Sequence, residues 1–228
     1  NINVNIASIE TSAKFTTEET PLLIAVNNNC IDIAKLLLAN PRINVNAKST
    51  MISQKYKIEI PLLYRAVEIK SIDIVKLLLS NPNIFINDTF NKEYEYKNTI
   101  SKKTAIQLAI EMDQSKIAQV LLSNPNIDVN CKYTVVKNNS INLVNLSLLK
   151  TAVENSNIEI VKLLLSKPKI DLNFVSTNCQ SKMNDEIDSD YDEEKDRTIK
   201  ETVLGIAVKL HDTKIVKLLL SYQSIDVN

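Results

Sequence analysis

The chain of 228 residues contains one glycine, one histidine, three cysteines and no tryptophan. Each scarcity excludes something. With Gly205 alone, neither a G-x-G-x-x-G dinucleotide loop nor a P-loop can be assembled. With His211 alone, His-dependent triads and H-E-x-x-H zinc helices are excluded. Cys30, Cys131 and Cys179 are odd in number, far apart and without C-x-x-C spacing, so they read as free thiols in a reducing, intracellular compartment. No run of eighteen apolar residues occurs, which rules out a membrane-spanning helix on length. The opening Asn1-Ile2-Asn3-Val4-Asn5 is not a signal peptide. Paired carboxylates such as Asp32 and Asp73 occupy equivalent solvent-facing slots. No enzyme activity, cofactor, metal or small-molecule substrate is therefore expected.

What the chain has instead is repetition. Ala152 to Asn173, AVENSNIEIVKLLLSKPKIDLN, recurs at Ala25 to Asn46, Ala66 to Asn87, Ala109 to Asn130 and Ala207 to Asn228. In every copy the Ala stands twenty-one positions before the closing Asn, with an Ile and a Leu-rich triplet between. A fixed period of this kind marks stacked supersecondary units, each burying its apolar face only against its neighbours. The whole chain, 1–228, reads as a single array with repeats 20–46, 61–87, 104–130, 147–173 and 202–228. Residues 1–5 read as the tail of a preceding repeat, and the array as a fragment of a longer one.

The opening Thr20-Pro21-Leu22-Leu23-Ile24-Ala25 resembles the T-P-L-H-x-A motif of the ankyrin repeat. Ile158 to Leu165 looks like that family's second helix, and Ile170-Asp171-Leu172-Asn173 like its strand entry. The resemblance covers about three fifths of the chain. It implies an all-α repeat solenoid of helix–turn–helix pairs linked by β-hairpin fingers, with a core of Ala25, Ile33, Leu36, Leu37 and their equivalents. There are departures. Leu23, Tyr64, Gln107, Lys150 and Gly205 stand where the family has His. Asn29, Lys70, Asp113, Ser156 and His211 replace its inter-helix Gly. Because Lys does not hold a left-handed backbone cheaply, a different turn or looser packing is expected in the second copy. Pro41, Pro82, Pro125 and Pro168 mark a stop after the Leu triplet, whereas Gln223 in the fifth copy leaves an end expected to fray.

The segments between repeats, 6–19, 47–60, 88–103, 131–146 and 174–201, are longer than the resemblance requires. Insertions in a solenoid fall on one face, often the binding face. Tyr56-Lys57-Ile58-Glu59-Ile60 alternates with period two, as does Tyr94-Glu95-Tyr96-Lys97. Tyr133 to Val136 and Ser140 to Val144 flank a turn-like Lys137-Asn138-Asn139. Extended β fingers are expected. Aromatics concentrate in them or at their edges: Phe15, Tyr56, Phe90, Tyr94, Tyr96, Tyr133, Phe174 and Tyr191. These rings either pack one finger on the next or form a recognition face.

Charge is zero overall but unevenly spread. Residues 185–196 carry eight carboxylates against Lys195, so the remainder is net positive by seven. Such a block reads first as a solvated segment. Sharper readings are a site for a basic partner, a flap over the Lys-bearing fingers, and phosphorylation at Ser189. Asp188, Asp190 and Asp192 alternate like a calcium loop, but no Gly follows and Ile199 stands at the bidentate position. Lys with interleaved Tyr superficially fits a nucleic-acid platform, against which stand the scarcity of Arg and the balanced charge.

The function expected is non-catalytic, reversible binding of a protein partner by a monomeric scaffold, through a concave face and finger tips. The residues assigned to it are Tyr56, Phe90, Tyr94, Tyr96, Tyr133, Lys57, Lys97 and Lys132 on the fingers, with Ile69, Met112 and Leu210 at the exposed side of the first helices. The alternative is a structural spacer whose parent protein carries recognition or catalysis elsewhere.

Overall fold

The computed structural model describes residues 3–94, 99–131, 147–180 and 197–226. Among them are ten helices and eight strands, so the fold is not purely α. The chain divides into two compact units, Asn1–Asp128 and Val129–Asn228.

The first unit contains three helix pairs: α1 (Pro21–Asn27) with α2 (Ile31–Leu38), α3 (Leu62–Glu68) with α4 (Ile72–Leu79), and α5 (Ala105–Glu111) with α6 (Ser115–Leu122). Its fingers supply β1 (Ser8–Thr11), β2 (Phe15–Glu19), β3 (Lys48–Ser53), β4 (Tyr56–Pro61), β5 (Thr89–Tyr94) and β6 (Thr99–Thr104). They form one antiparallel sheet in the order β1-β2-β3-β4-β5-β6, so each finger pairs with the next. The second unit contains α7 (Leu148–Glu154), α8 (Ile158–Leu165), α9 (Val203–Lys209) and α10 (Thr213–Leu220). Its hairpin of β7 (Val175–Gln180) and β8 (Arg197–Thr202) flanks the acidic stretch, which lies outside the described residues. So do the strands expected at Tyr133 to Val136 and Ser140 to Val144, and three of the four residues of Tyr94-Glu95-Tyr96-Lys97.

The helices begin and end for identifiable reasons. Thr20, Ser147 and Thr202 accept the N–H three residues on, which satisfies one of the orphan donors of a helix start. Thr104 does the same for Gln107, whose side chain returns the favour by accepting the Thr104 N–H at 2.7 Å. Between paired helices the chain turns through a left-handed residue in every repeat: Asn29 (φ 54°), Lys70 (61°), Asp113 (54°), Ser156 (53°) and His211 (56°). The second copy therefore does not use a different turn. Lys70 N–H reaches Val67 C=O at 2.9 Å and Ser71 N–H reaches Ala66 C=O at 3.1 Å, matching Asn29 to Val26 (2.9 Å) and Cys30 to Ala25 (2.8 Å). Tertiary packing imposes the conformation, and the lysine bears its steric cost.

In the first unit α3 packs between α1 and α5, and α4 between α2 and α6. Leu22, Leu23, Leu62, Ile74, Leu78, Ile106 and Leu121 are essentially inaccessible to water. Each such side chain contributes roughly 1.5–3 kcal/mol of burial. The core expected from the repeat pattern needs one correction. Ile33 and Leu36 are 52% and 76% exposed, whereas Ile74, the equivalent of Ile33, is fully buried. The difference is that α4 lies against α2, while no described helix covers α2 on its other flank.

The closing Asn of each of the first four repeats, and Asn5 in the same phase, has a defined task. Asn46 Nδ2 donates to Asn83 C=O (2.8 Å) while its Oδ1 accepts the Phe85 N–H (2.8 Å). Asn5 does this to Arg42 and Asn44, and Asn87 to Asn126 and Asp128. In the second unit Asn130 grips Lys169 and Asp171, and Asn173 grips Ser224 and Asp226. One primary amide thus staples the backbone of the following repeat with a donor and an acceptor at once.

Candidate functional site

Strand alternation sorts the finger side chains of the first unit onto two faces. Phe15 is opposite Ser53, Thr17 opposite Met51, and Ile58 opposite Lys92. These residues, with Tyr56, Ile60 and Phe90, share the face that turns toward the first helices. Three contacts fix that orientation. Glu19 accepts from Asn27 Nδ2 at 2.8 Å, Lys103 pairs with Glu111 at 2.7 Å, and the rings of Phe90 and Tyr64 stack at 4.9 Å with 16° between planes. The other face carries Ile9, Glu18, Thr50, Ile52, Lys57, Glu59 and Asn91.

The inner face grades from tip to root. Phe15 near the tip is 38% exposed. Tyr56, Met51 and Ile58 are half-buried, and Lys92 Nζ lies 4.9 Å from the centre of the Tyr56 ring, within cation–π range. Phe90 is half-buried at the root on Tyr64, which is itself only 6% exposed. Burial first, and then the charges of Glu68 and Glu111, hold the Tyr64 phenol in its neutral form well above the usual tyrosine range. Beside it Arg65 Nη1 binds Glu68 Oε2 at 2.5 Å.

Finger roots are braced to the first helices at a separation of eight residues: Glu19 to Asn27, Lys103 to Glu111 and, in the second unit, Glu201 to Lys209. The polarity of the ion pair is opposite in the last two. The position therefore requires complementarity rather than a given charge.

The residues singled out from sequence do not all come together. Tyr56 and Phe90 share the inner face, but Phe90 is occupied as a packing ring. Tyr94 is opposite Tyr56 in the backbone register. Lys57 falls on the other face, where its ammonium binds Glu59 at 2.6 Å. That hydrogen bond raises the Lys57 pKa and lowers that of Glu59. Ile69 is half-buried at the end of α3. Met112 (38% exposed) ends α5, and Leu210 (45%) ends α9 in the second unit. Tyr96, Lys97, Lys132 and Tyr133 lie outside the described residues. Met51 and Ile58 were not foreseen as part of the face. The period-two alternation of Tyr56 to Ile60 was signal enough for Ile58, while Met51 depends on how β3 pairs with its neighbours.

Residues 17–50, spanning the first helix pair, match the family model of the ankyrin repeat. The chain has the ankyrin-repeat fold. Among solved structures, the ankyrin repeat domain of Bcl-3, described as a unique member of the IkappaB protein family, aligns with a TM-score of 0.53 and 21% identity, covering 92% of this chain and 74% of that one. At that identity the likeness establishes the fold. No curated protein matches the chain in sequence. Ankyrin repeat domains in general mediate protein–protein interaction, and their fold is typically non-catalytic. No described helix is long and apolar enough to cross a membrane, and no described group of His, Cys, Asp or Glu could hold a metal ion.

Proposed function

We propose that this chain is a non-catalytic scaffold that binds a protein partner through the inner face of its first three fingers, the concave side formed with the first helices. The supporting observation is that Phe15 and Tyr56 stand on the same sheet face with Met51 and Ile58 beside them, none of them fully buried. Aromatic anchors with aliphatic surroundings and a positioned cation are the composition of interface centres. Met112, at the end of α5, extends the surface onto the helices. The stack of Phe90 on Tyr64 favours a packing role for that one ring, so recognition rests on the tip and middle of the fingers.

Affinity capture with cross-linking tests the reading. Phe15→Ala with Tyr56→Ala should abolish capture of the partner, while Ile52→Ala with Lys57→Ala on the opposite face should leave it intact. The same proteins captured by both baits would transfer support to the spacer role.

A further inference from the structure

On the reading of the inner face given above, we infer that its occupant is an acidic, proline-rich segment of another protein, lying across the finger tips in polyproline II conformation. The first two tips are built alike. Ser12-Ala13-Lys14-Phe15 recurs as Ser53-Gln54-Lys55-Tyr56, in phase with the repeats, and Ser-x-Lys-aromatic occurs nowhere else in the chain. Ser12 Oγ accepts the N–H of Lys14 (3.4 Å) and of Phe15 (3.2 Å) and donates to Phe15 C=O (3.0 Å). Ser53 Oγ accepts from Lys55 and Tyr56 (both 3.2 Å) and donates to Tyr56 C=O (3.2 Å). Each tip thus sets one ring on the inner face and one lysine at the turn beside it. Lys14 and Lys55 are exposed, and neither ammonium has a partner among the described residues.

The spacing of the tips selects the occupant's conformation. Phe15 is directly opposite Ser53, which closes the turn to Tyr56, so the three form one row across β2, β3 and β4. The two ring positions are two strand spacings apart, about 9.6 Å, with the small Ser53 as a notch between them. One turn of polyproline II, three residues, advances about 9.3 Å, so every third side chain returns to the same edge in step with the fingers. A β-strand alternates faces and returns at about 6.7 and 13.4 Å, out of step with the rings. An α-helix returns after seven residues at about 10.5 Å, a poorer match. Aromatic-lined grooves are what polyproline II segments dock into, with little conformational entropy left to lose.

Charge supplies the second requirement. Toward the tips the inner face carries Lys14, Lys55 and Lys92 against Glu10, with Lys92 Nζ over the Tyr56 ring. A carboxylate at every third position of the segment meets Lys14 and Lys55 in turn, while prolines on the neighbouring edge rest on Phe15 and Tyr56.

The test uses the whole chain and an amidated peptide of four Pro-Pro-Asp repeats with an N-terminal fluorophore, followed by anisotropy at low salt and by amide shifts. The peptide should bind and shift the amides of Lys14, Phe15, Lys55 and Tyr56. A peptide of the same composition with its aspartates in one block should bind about tenfold more weakly, since it engages only one finger in phase. Lys14→Glu with Lys55→Glu, both at exposed turn positions, should weaken the Pro-Pro-Asp peptide by about tenfold and transfer preference to Pro-Pro-Lys repeats. Phe15→Ala with Tyr56→Ala should abolish binding, and Ile52→Ala with Lys57→Ala on the opposite face should leave it unchanged. Equal binding of the block peptide would overturn the inference. So would tighter binding of an α-helical peptide of equal charge, or amide shifts confined to the outer face. A lysate partner lost by the Phe15→Ala, Tyr56→Ala bait, with no binding of the Pro-Pro-Asp peptide, would leave the recognition face standing and remove only this occupant. A partner captured by wild type and that bait alike would remove the face itself.

Discussion

Asn46 and Phe85 stand thirty-nine residues apart and are joined by a 2.8 Å hydrogen bond from the Phe85 N–H to the Asn46 side chain. The same amide donates to Asn83 C=O, so it needs both an acceptor and a donor. Asn46→Ala removes two partly exposed hydrogen bonds and should cost about 1–2 kcal/mol. Asn46→Asp should cost more, because a carboxylate oxygen would face the Asn83 carbonyl. Urea midpoints of the two variants check the order, and an Asp variant as stable as wild type would show that the donor half is idle.

Lys70 offers the reverse case. Its left-handed backbone (φ 61°) is imposed by packing on a residue with a Cβ. Lys70→Gly should stabilise the chain by about 1 kcal/mol. Asn29→Gly should change little, since Asn tolerates this region. Thermal melts of the two variants compare them directly.

The stacked pair of Tyr64 and Phe90 gives a pH dependence with a defined sign. Burial raises the Tyr64 pKa in the folded chain. In the unfolded chain its phenol titrates near ~10, so the stabilisation is complete below that pH and declines as pH rises beyond it. Tyr64→Phe retains the stack and removes the titration. The stability difference between wild type and Tyr64→Phe should therefore be constant to about pH 9 and should shift against wild type near pH 11. Urea unfolding at both values measures it, and an unchanged difference would place the Tyr64 hydroxyl in contact with solvent.

Lys103 and Glu111 brace the third finger, with side chains 21% and 23% exposed. Glu111→Lys should destabilise by about 1 kcal/mol and increase hydrogen exchange in β6. Adding Lys103→Glu should restore most of the loss, because Glu201 and Lys209 already use the exchanged polarity. Additivity of the two changes in a double-mutant cycle would deny the brace.

The helix pairs were legible because the repeat places Ala, Ile and Leu at fixed helical spacing. The fingers were legible where alternation was clean, as in Tyr56 to Ile60. Other features depend on contacts between distant segments. The closing Asn was visible as a recurrence, but its partners lie one repeat further on, where local patterning carries no information. Ile33 looked like a core residue because its periodicity matches that of Ile74, and exposure depends on what covers α2. Lys70 was judged on intrinsic cost, which packing overrides. The separation of Lys57 from Tyr56 follows from adjacency on a strand. That the Tyr56 side is the inner one required the braces to helix.

The Asn staples span separations of 39, 39, 41, 41 and 53 residues, yet their backbone N–H contacts stay between 2.7 and 2.9 Å. Stacking is thus insulated from whatever is spliced between repeats. Such a chain can acquire, lengthen or exchange its projections one at a time while the helical rail beneath keeps its gauge, so new specificities can be tried without placing the fold at risk.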